Sequence, residues 1–102
     1  MNLSDMMKQA KELQEKMGNM QSELAGRTVV GSAGGGMVAA RMNGKGELLG
    51  LTIEKNIVKP DDVEMLQDLI VAAVSDGTRK AAELSRSELS RLTGGLKIPG
   101  LS

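Results

Sequence analysis

Cations at helical spacing are the side chains of this chain with the clearest chemical use. Arg79 and Arg86 stand seven residues apart, which places them on one face of a helix, and Lys80 and Arg91 lie on the same segment. Only Glu83 interrupts the stretch between the two arginines. Guanidinium and ammonium groups presented this way bind anionic partners through charge-assisted hydrogen bonds. Lys8, Lys11 and Lys16 form a second set, but they share their helix face with Glu12 and Glu15. The i, i+4 pairs Lys8–Glu12 and Glu12–Lys16 lower the local potential, so a solvated face is the ordinary reading of that set.

The remaining chemistry is narrow. With no His and no Cys, nucleophile–base pairs of the Ser/His or Cys/His kind are excluded, as are nearly all zinc, haem and iron–sulfur sites. Carboxylates and lysines remain, yet no paired acids sit beside a pocket motif, so no catalytic residue, metal, cofactor or small-molecule substrate is expected. The 13 glycines invite a phosphate-loop reading, and the registers reject it. Gly44-Lys45-Gly46 lacks the Ser/Thr and the earlier Gly of a P-loop, and Leu49 stands where a dinucleotide fingerprint needs its third Gly. Turn chemistry explains these glycines better. The absence of Cys is compatible with a reducing cytoplasm, and residues 1–10 hold Asp5 and Lys8 with no apolar run, so no targeting segment or membrane span is expected. Formal net charge is zero, with 13 basic and 13 acidic groups. Its distribution drifts from neutral in residues 1–30 to a slight acidic excess in 31–74 and a slight basic excess in 75–102.

The elements that must carry these residues are legible from periodicity. Leu3, Met6, Ala10, Leu13, Met17, Met20 and Leu24 recur at alternating spacings of three and four, an unbroken heptad seam. They predict an amphipathic helix from about residue 4 to 24, capped by Asn2 or Ser4 and ended by Gly26. The seam has two readings: packing against the second helix of the same chain, or against another copy. Thr28–Val30, Met37–Met42 and Leu48–Ile53 then read as short strands, separated by Gly34-Gly35-Gly36 and by the Asn43-Gly44 turn signal. An antiparallel meander follows, with Val38, Ala40 and Met42 on one face and Met37 and Ala39 leaving the other face apolar as well. Asp61 as N-cap with Glu64 three residues on predicts a second helix over about 62–92. Gly77 interrupts its pattern at a cost of about 1 kcal/mol relative to Ala, which leaves both a continuous helix and a kink or break there open. So long a helix must project or pair, which puts Arg79, Lys80, Arg86 and Arg91 on a projecting arm. Residues 94–102 read as a flexible tail after a single domain over 1–93. A core without Phe, Tyr or Trp is thin, so self-association is expected to supply further apolar burial.

The combination of Met6-Met7-Lys8-Gln9-Ala10, Leu13-Gln14-Glu15-Lys16-Met17, the Gly-rich meander, Asp61 to Ala73 and Thr93-Gly94-Gly95-Leu96 resembles the YbaB/EbfC family of bacterial nucleoid-associated proteins. The resemblance spans nearly the whole chain. It implies an α+β fold of order α-β-β-β-α and a tweezer-like homodimer whose sheets pair at the centre while helices project. It also implies binding to double-stranded DNA in the cytoplasmic nucleoid with limited sequence preference. Arg79, Lys80, Arg86 and Arg91, with Lys8, Lys11 and Lys16 second, are the candidate DNA contacts. Val38, Ala40, Met42, Leu49, Leu51 and Ile53 are the candidate interface between copies. The alternative from another class is a coiled-coil adaptor acting through a protein partner, for which the heptad seam suffices.

Overall fold

Asn2 opens the chain's first helix: its Oδ1 accepts the Asp5 backbone N–H at 2.8 Å, satisfying one of the donors a helix start leaves free. In the computed structural model, which describes residues 2–94, this helix, α1, runs Leu3–Gly26. Three strands follow, β1 (Thr28–Ala33), β2 (Val38–Asn43) and β3 (Leu48–Ile53), and then a long helix, α2 (Val63–Thr93). The strands form one antiparallel sheet in the order β1-β2-β3. The expected α-β-β-β-α arrangement is thus the observed one. Apart from Gly94, the expected tail lies outside the described residues.

Local chemistry accounts for the turns. Gly34, Gly35 and Gly36 all hold positive φ in the first hairpin, and Gly46 does so in the second. Asn43 organises that second turn. Its Oδ1 accepts the N–H groups of Lys45 and Glu47, and its Nδ2 donates to Glu47 Oε1. β3 meets β2 with an irregularity in which Leu49 is the extra residue between the pairs Arg41–Gly50 and Met42–Leu48.

β2 begins and ends one residue later than the expected Met37–Met42, and three further points differ from the sequence-based reading or decide it. β1 extends through Gly31-Ser32-Ala33, which pair with Ala40, Ala39 and Val38, and Gly31 lies directly under α2, where a side chain would not fit. α2 is capped by Asp62 rather than Asp61: Asp62 Oδ1 accepts the Met65 N–H, which leaves Glu64 out of capping-box register. α2 also continues through Gly77 without a break. This glycine marks close packing: a Cβ there would lie 2.6 Å from Met42 Sδ.

α2 covers one face of the sheet. Val38 and Ala40 are fully buried with Ala73 and Ile57, and Leu66, Leu69, Ile70 and Val74 close over them. Met42 is buried beside Gly77 and Thr78. The opposite face, with Val30 and Ala39, and the β3 residues Leu48, Leu49 and Leu51 stay open. Only Met20 and Leu24 of α1 are buried, and residues 3–19 are exposed throughout. The arm that stands free is therefore α1, while the middle of α2 lies on the sheet through Ala73, Gly77 and Ala81. The molecule measures 69 × 25 × 16 Å with a radius of gyration of 19.4 Å, against about 13 Å for a globular chain of this length.

Candidate functional site

The base of the arm is built by small contacts of high precision. Gly44 donates its N–H to the carbonyls of Leu24 and Arg27, at 2.8 and 2.9 Å, so the second hairpin seats directly under the end of α1. A Cβ at Gly44 would lie 2.8 Å from the Leu24 carbonyl oxygen, which explains the glycine. Arg27, at the junction of α1 and β1, pairs with Glu88 of α2 at 2.8 Å, and Arg91 approaches the same carboxylate at 3.5 Å. Glu88 is nearly buried, so its charge is balanced where water is scarce. Above it a groove of about 370 Å³ runs between Lys16, Asn19 and Glu23 of α1 and Glu88, Arg91 and Leu92 of α2. The structure thus brings Lys16 and Arg91 to one groove from candidate sets far apart in sequence.

The principal cation set is differently disposed from the sequence-based reading. Arg79 is clasped by two carboxylates, Asp76 at 2.7 Å and Glu83 at 2.9 Å. Lys80 pairs with Asp76 at 3.2 Å and donates to the Val30 carbonyl at 3.0 Å. Asp76 also accepts the Ser32 N–H at 3.0 Å. That backbone donor, followed by Arg79 and Lys80, lowers its carboxyl pKa to about 2, and Asp76 in turn raises that of the Arg79 guanidinium. These residues lie over the edge of the sheet rather than on a projecting arm. The Asp76–Arg79 spacing of three was readable as a helical ion pair, and counting acids only between Arg79 and Arg86 missed it.

Among the described residues, Lys8, Lys11, Lys16 and Arg86 enter no ion pair within 4 Å. The expected pairs Lys8–Glu12 and Glu12–Lys16 are therefore not closed, and the charges of these lysines are unshared among the described residues. Lys45 was overlooked by sequence reasoning. It sits on the second hairpin, beside Gln21 and Ser85, in a groove of about 320 Å³ between α1 and α2. Its position after an Asn-Gly turn signalled only a hairpin.

The candidate interface residues divide as well. Val38, Ala40 and Met42 are spent on the chain's own core, and Ile53 packs at its margin. Leu49 and Leu51 remain exposed on β3.

Residues 1–96 match the profile of the YbaB/EbfC DNA-binding family. The chain belongs to that family. It is 56% identical over 95 residues to a nucleoid-associated protein of Syntrophobacter fumaroxidans, covering 93% of this chain and 86% of that one. To a nucleoid-associated protein of Desulfotalea psychrophila it is 48% identical over 102 residues, covering 100% and 96%. The fold is similar to the crystal structure of an uncharacterized protein from Helicobacter pylori, with a TM-score of 0.77 and 25% identity over 89% of this chain and 95% of that one. In this YbaB/EbfC chain Arg27, Arg79 and Lys80 hold the fold, Arg91 lies near the Glu88 carboxylate, and Lys8, Lys11, Lys16 and Arg86 are left without an ion pair among the described residues.

Proposed function

We propose that the chain binds duplex DNA as a homodimer with little sequence preference, and in this way organises the bacterial nucleoid or modulates gene expression. The observation that carries the reading is the match to a DNA-binding family along nearly the whole chain, with relatives named as nucleoid-associated proteins. The geometry adds a means. With zero net charge, attraction to phosphates must come from cations presented locally. Lys8, Lys11 and Lys16 on the free arm and Arg86 on α2 are presented in that way, with Arg91 and Lys45 beside them. Segment 79–91 of α2 carries no aromatic, Asn or Gln side chain, so its contacts suit phosphates rather than base edges. Homodimerisation doubles the cations, and the open β3 edge with Leu49 and Leu51 is the surface on which it would occur.

Titration of unrelated duplexes at several salt concentrations tests this. Replacing Lys8, Lys11 and Lys16 by Ala is expected to weaken all duplexes alike and to lower the salt slope by about one per lost phosphate contact. Arg79→Ala is expected to move the slope less, since its charge is already shared. An unchanged slope in the triple variant and in Arg86→Ala would remove the arm from the interface. The exposed α1 seam favours the protein-adaptor reading, and salt separates the two: apolar recognition lacks the counterion-release dependence of DNA binding.

A further inference from the structure

Seventeen successive residues of α1, 3–19, are exposed, and α2 comes near only the last few of them, at the groove holding Lys16 and Asn19. That is about 25 Å of helix in water, and an unpacked helix of that length is marginal by its own propensity. Leu3 is 73% exposed, Met6 55%, Leu13 41% and Met17 37%, all on the heptad seam whose last two members, Met20 and Leu24, are buried. The seam is one continuous surface. Among the described residues the chain covers its inner end and leaves its outer end bare, α2 ending at Thr93.

We propose that the outer seam is covered by the α1 seam of a second copy, packed antiparallel. The charge pattern favours a copy of the same helix. With Leu3, Ala10 and Met17 as one set of seam positions and Met6 and Leu13 as the other, the flanking positions hold Asn2, Met7, Gln9, Gln14 and Lys16. Asp5, Lys8, Lys11, Glu12 and Glu15 all fall on the outward side. Two such helices meet without like charges along their flanks: Lys16 is the one charge there and faces Gln9 of the second copy, so little flanking charge is present to select a different helix. The direction follows from α2. In a parallel pair both α2 ends would occupy the same gap between the two α1 helices. In an antiparallel pair the partner's tip takes the seam where α2 leaves it. Ala10 then faces Leu13 of the second copy and Met6 faces Met17, small against large and flexible against flexible. Lys8 and Lys11 stay on the outside, so this pairing and phosphate contact do not compete. The contact is separate from the β3 surface, and together the two would link dimers into larger particles.

The chain has no Cys, so introduced ones report unambiguously. Ala10→Cys and Leu13→Cys chains, mixed and mildly oxidised at about 50 µM, are expected to give a covalent pair that neither variant gives alone, since a disulfide needs Cα atoms within about 7 Å. The double variant Met6→Gln, Leu13→Gln should halve the particle mass seen by sedimentation while circular dichroism still reports a folded body. A disulfide from Leu13→Cys alone would mean parallel pairing and overturn the proposal. So would a mixture no more reactive than its components, or an unchanged mass in the glutamine variant. The last two results would leave a foreign helix as occupant. The β3 contact is tested by its own variant, described below, so either can fail without the other.

Discussion

Asp76 gathers three donors around one carboxylate. One oxygen takes the Ser32 N–H and the Lys80 ammonium, the other takes Arg79. Lys80 meanwhile reaches the Val30 carbonyl. Val30 and Ser32 turn these groups away from β2, so the cluster closes an edge that would otherwise offer unpaired backbone to another strand. The pH dependence follows from the shift. With a folded pKa of about 2, below the ordinary value near 4, the charged form is held by the fold. Its contribution to stability is present above about pH 4 and is lost as pH falls through about 2. Asp76→Asn is therefore expected to lower Tm at pH 7, with the gap to the unsubstituted protein shrinking between about pH 4 and pH 2. Thermal melts at both ends of that window check it, and a gap that stays constant would show that the charge contributes nothing. Half of this cluster was legible, since Asp76, Arg79, Lys80 and Glu83 lie within one helical stretch. The other half, two backbone groups of β1, was not.

Two glycines set how α2 meets the sheet. Gly31 of β1 and Gly77 of α2 face each other, and a Cβ on Gly31 would lie 2.6 Å from Gly77 Cα and closer still to Gly77 N and the Ala73 carbonyl. All three are backbone atoms of a continuous helix and cannot turn aside. Gly31→Ala must push strand and helix apart, at an expected cost of about 1–3 kcal/mol in denaturant unfolding. Gly77→Ala meets the Met42 side chain, whose Sδ can swing, and gains about 1 kcal/mol in helix propensity. It should be distinctly milder than Gly31→Ala. Equal losses at the two positions would mean that Met42 is held as firmly as backbone. A kink or break at Gly77, one of the two readings open from the sequence, rests on the same propensity. Tertiary packing overrides it, because α2 lies on β1 and β2 on either side of that residue.

In the extended shape, with a radius of gyration of 19.4 Å, the outer α1 seam and the β3 side of the sheet are apolar surfaces left uncovered by the described residues. β1 is shut by Asp76 and Lys80, so β3 is the edge that remains open, and Leu48, Leu49 and Leu51 line it. A second copy paired there, as proposed, would bury them and add to the thin aromatic-free core. Light scattering should accordingly return at least twice the 10.7 kDa of one chain at about 50 µM. Leu49→Lys with Leu51→Lys should lower that mass. The substitutions lie outside the core of Val38, Ala40 and Ala73, so the body should remain folded. A monomer mass for the unsubstituted chain would remove both association contacts together.

Features that depend on neighbours a few residues away were readable from the chain: the heptad period of α1, the Asn2 cap, the Gly-rich hairpins, the meander with Val38, Ala40 and Met42 on one face, and the long second helix. Each follows from turn chemistry, capping or period, which act locally. Partnerships across long separations were not readable. Ser32 and Asp76 are 44 residues apart, and Arg27 and Glu88 are 61 apart. Only the packed structure decides that Arg79 and Lys80 close a strand edge while the lysines of α1 stand free. Only it shows that α1, rather than α2, forms the bare arm. The reason is geometric: a side chain's periodic position says which face it occupies, while the neighbouring element decides whether that face meets carboxylate, backbone or water.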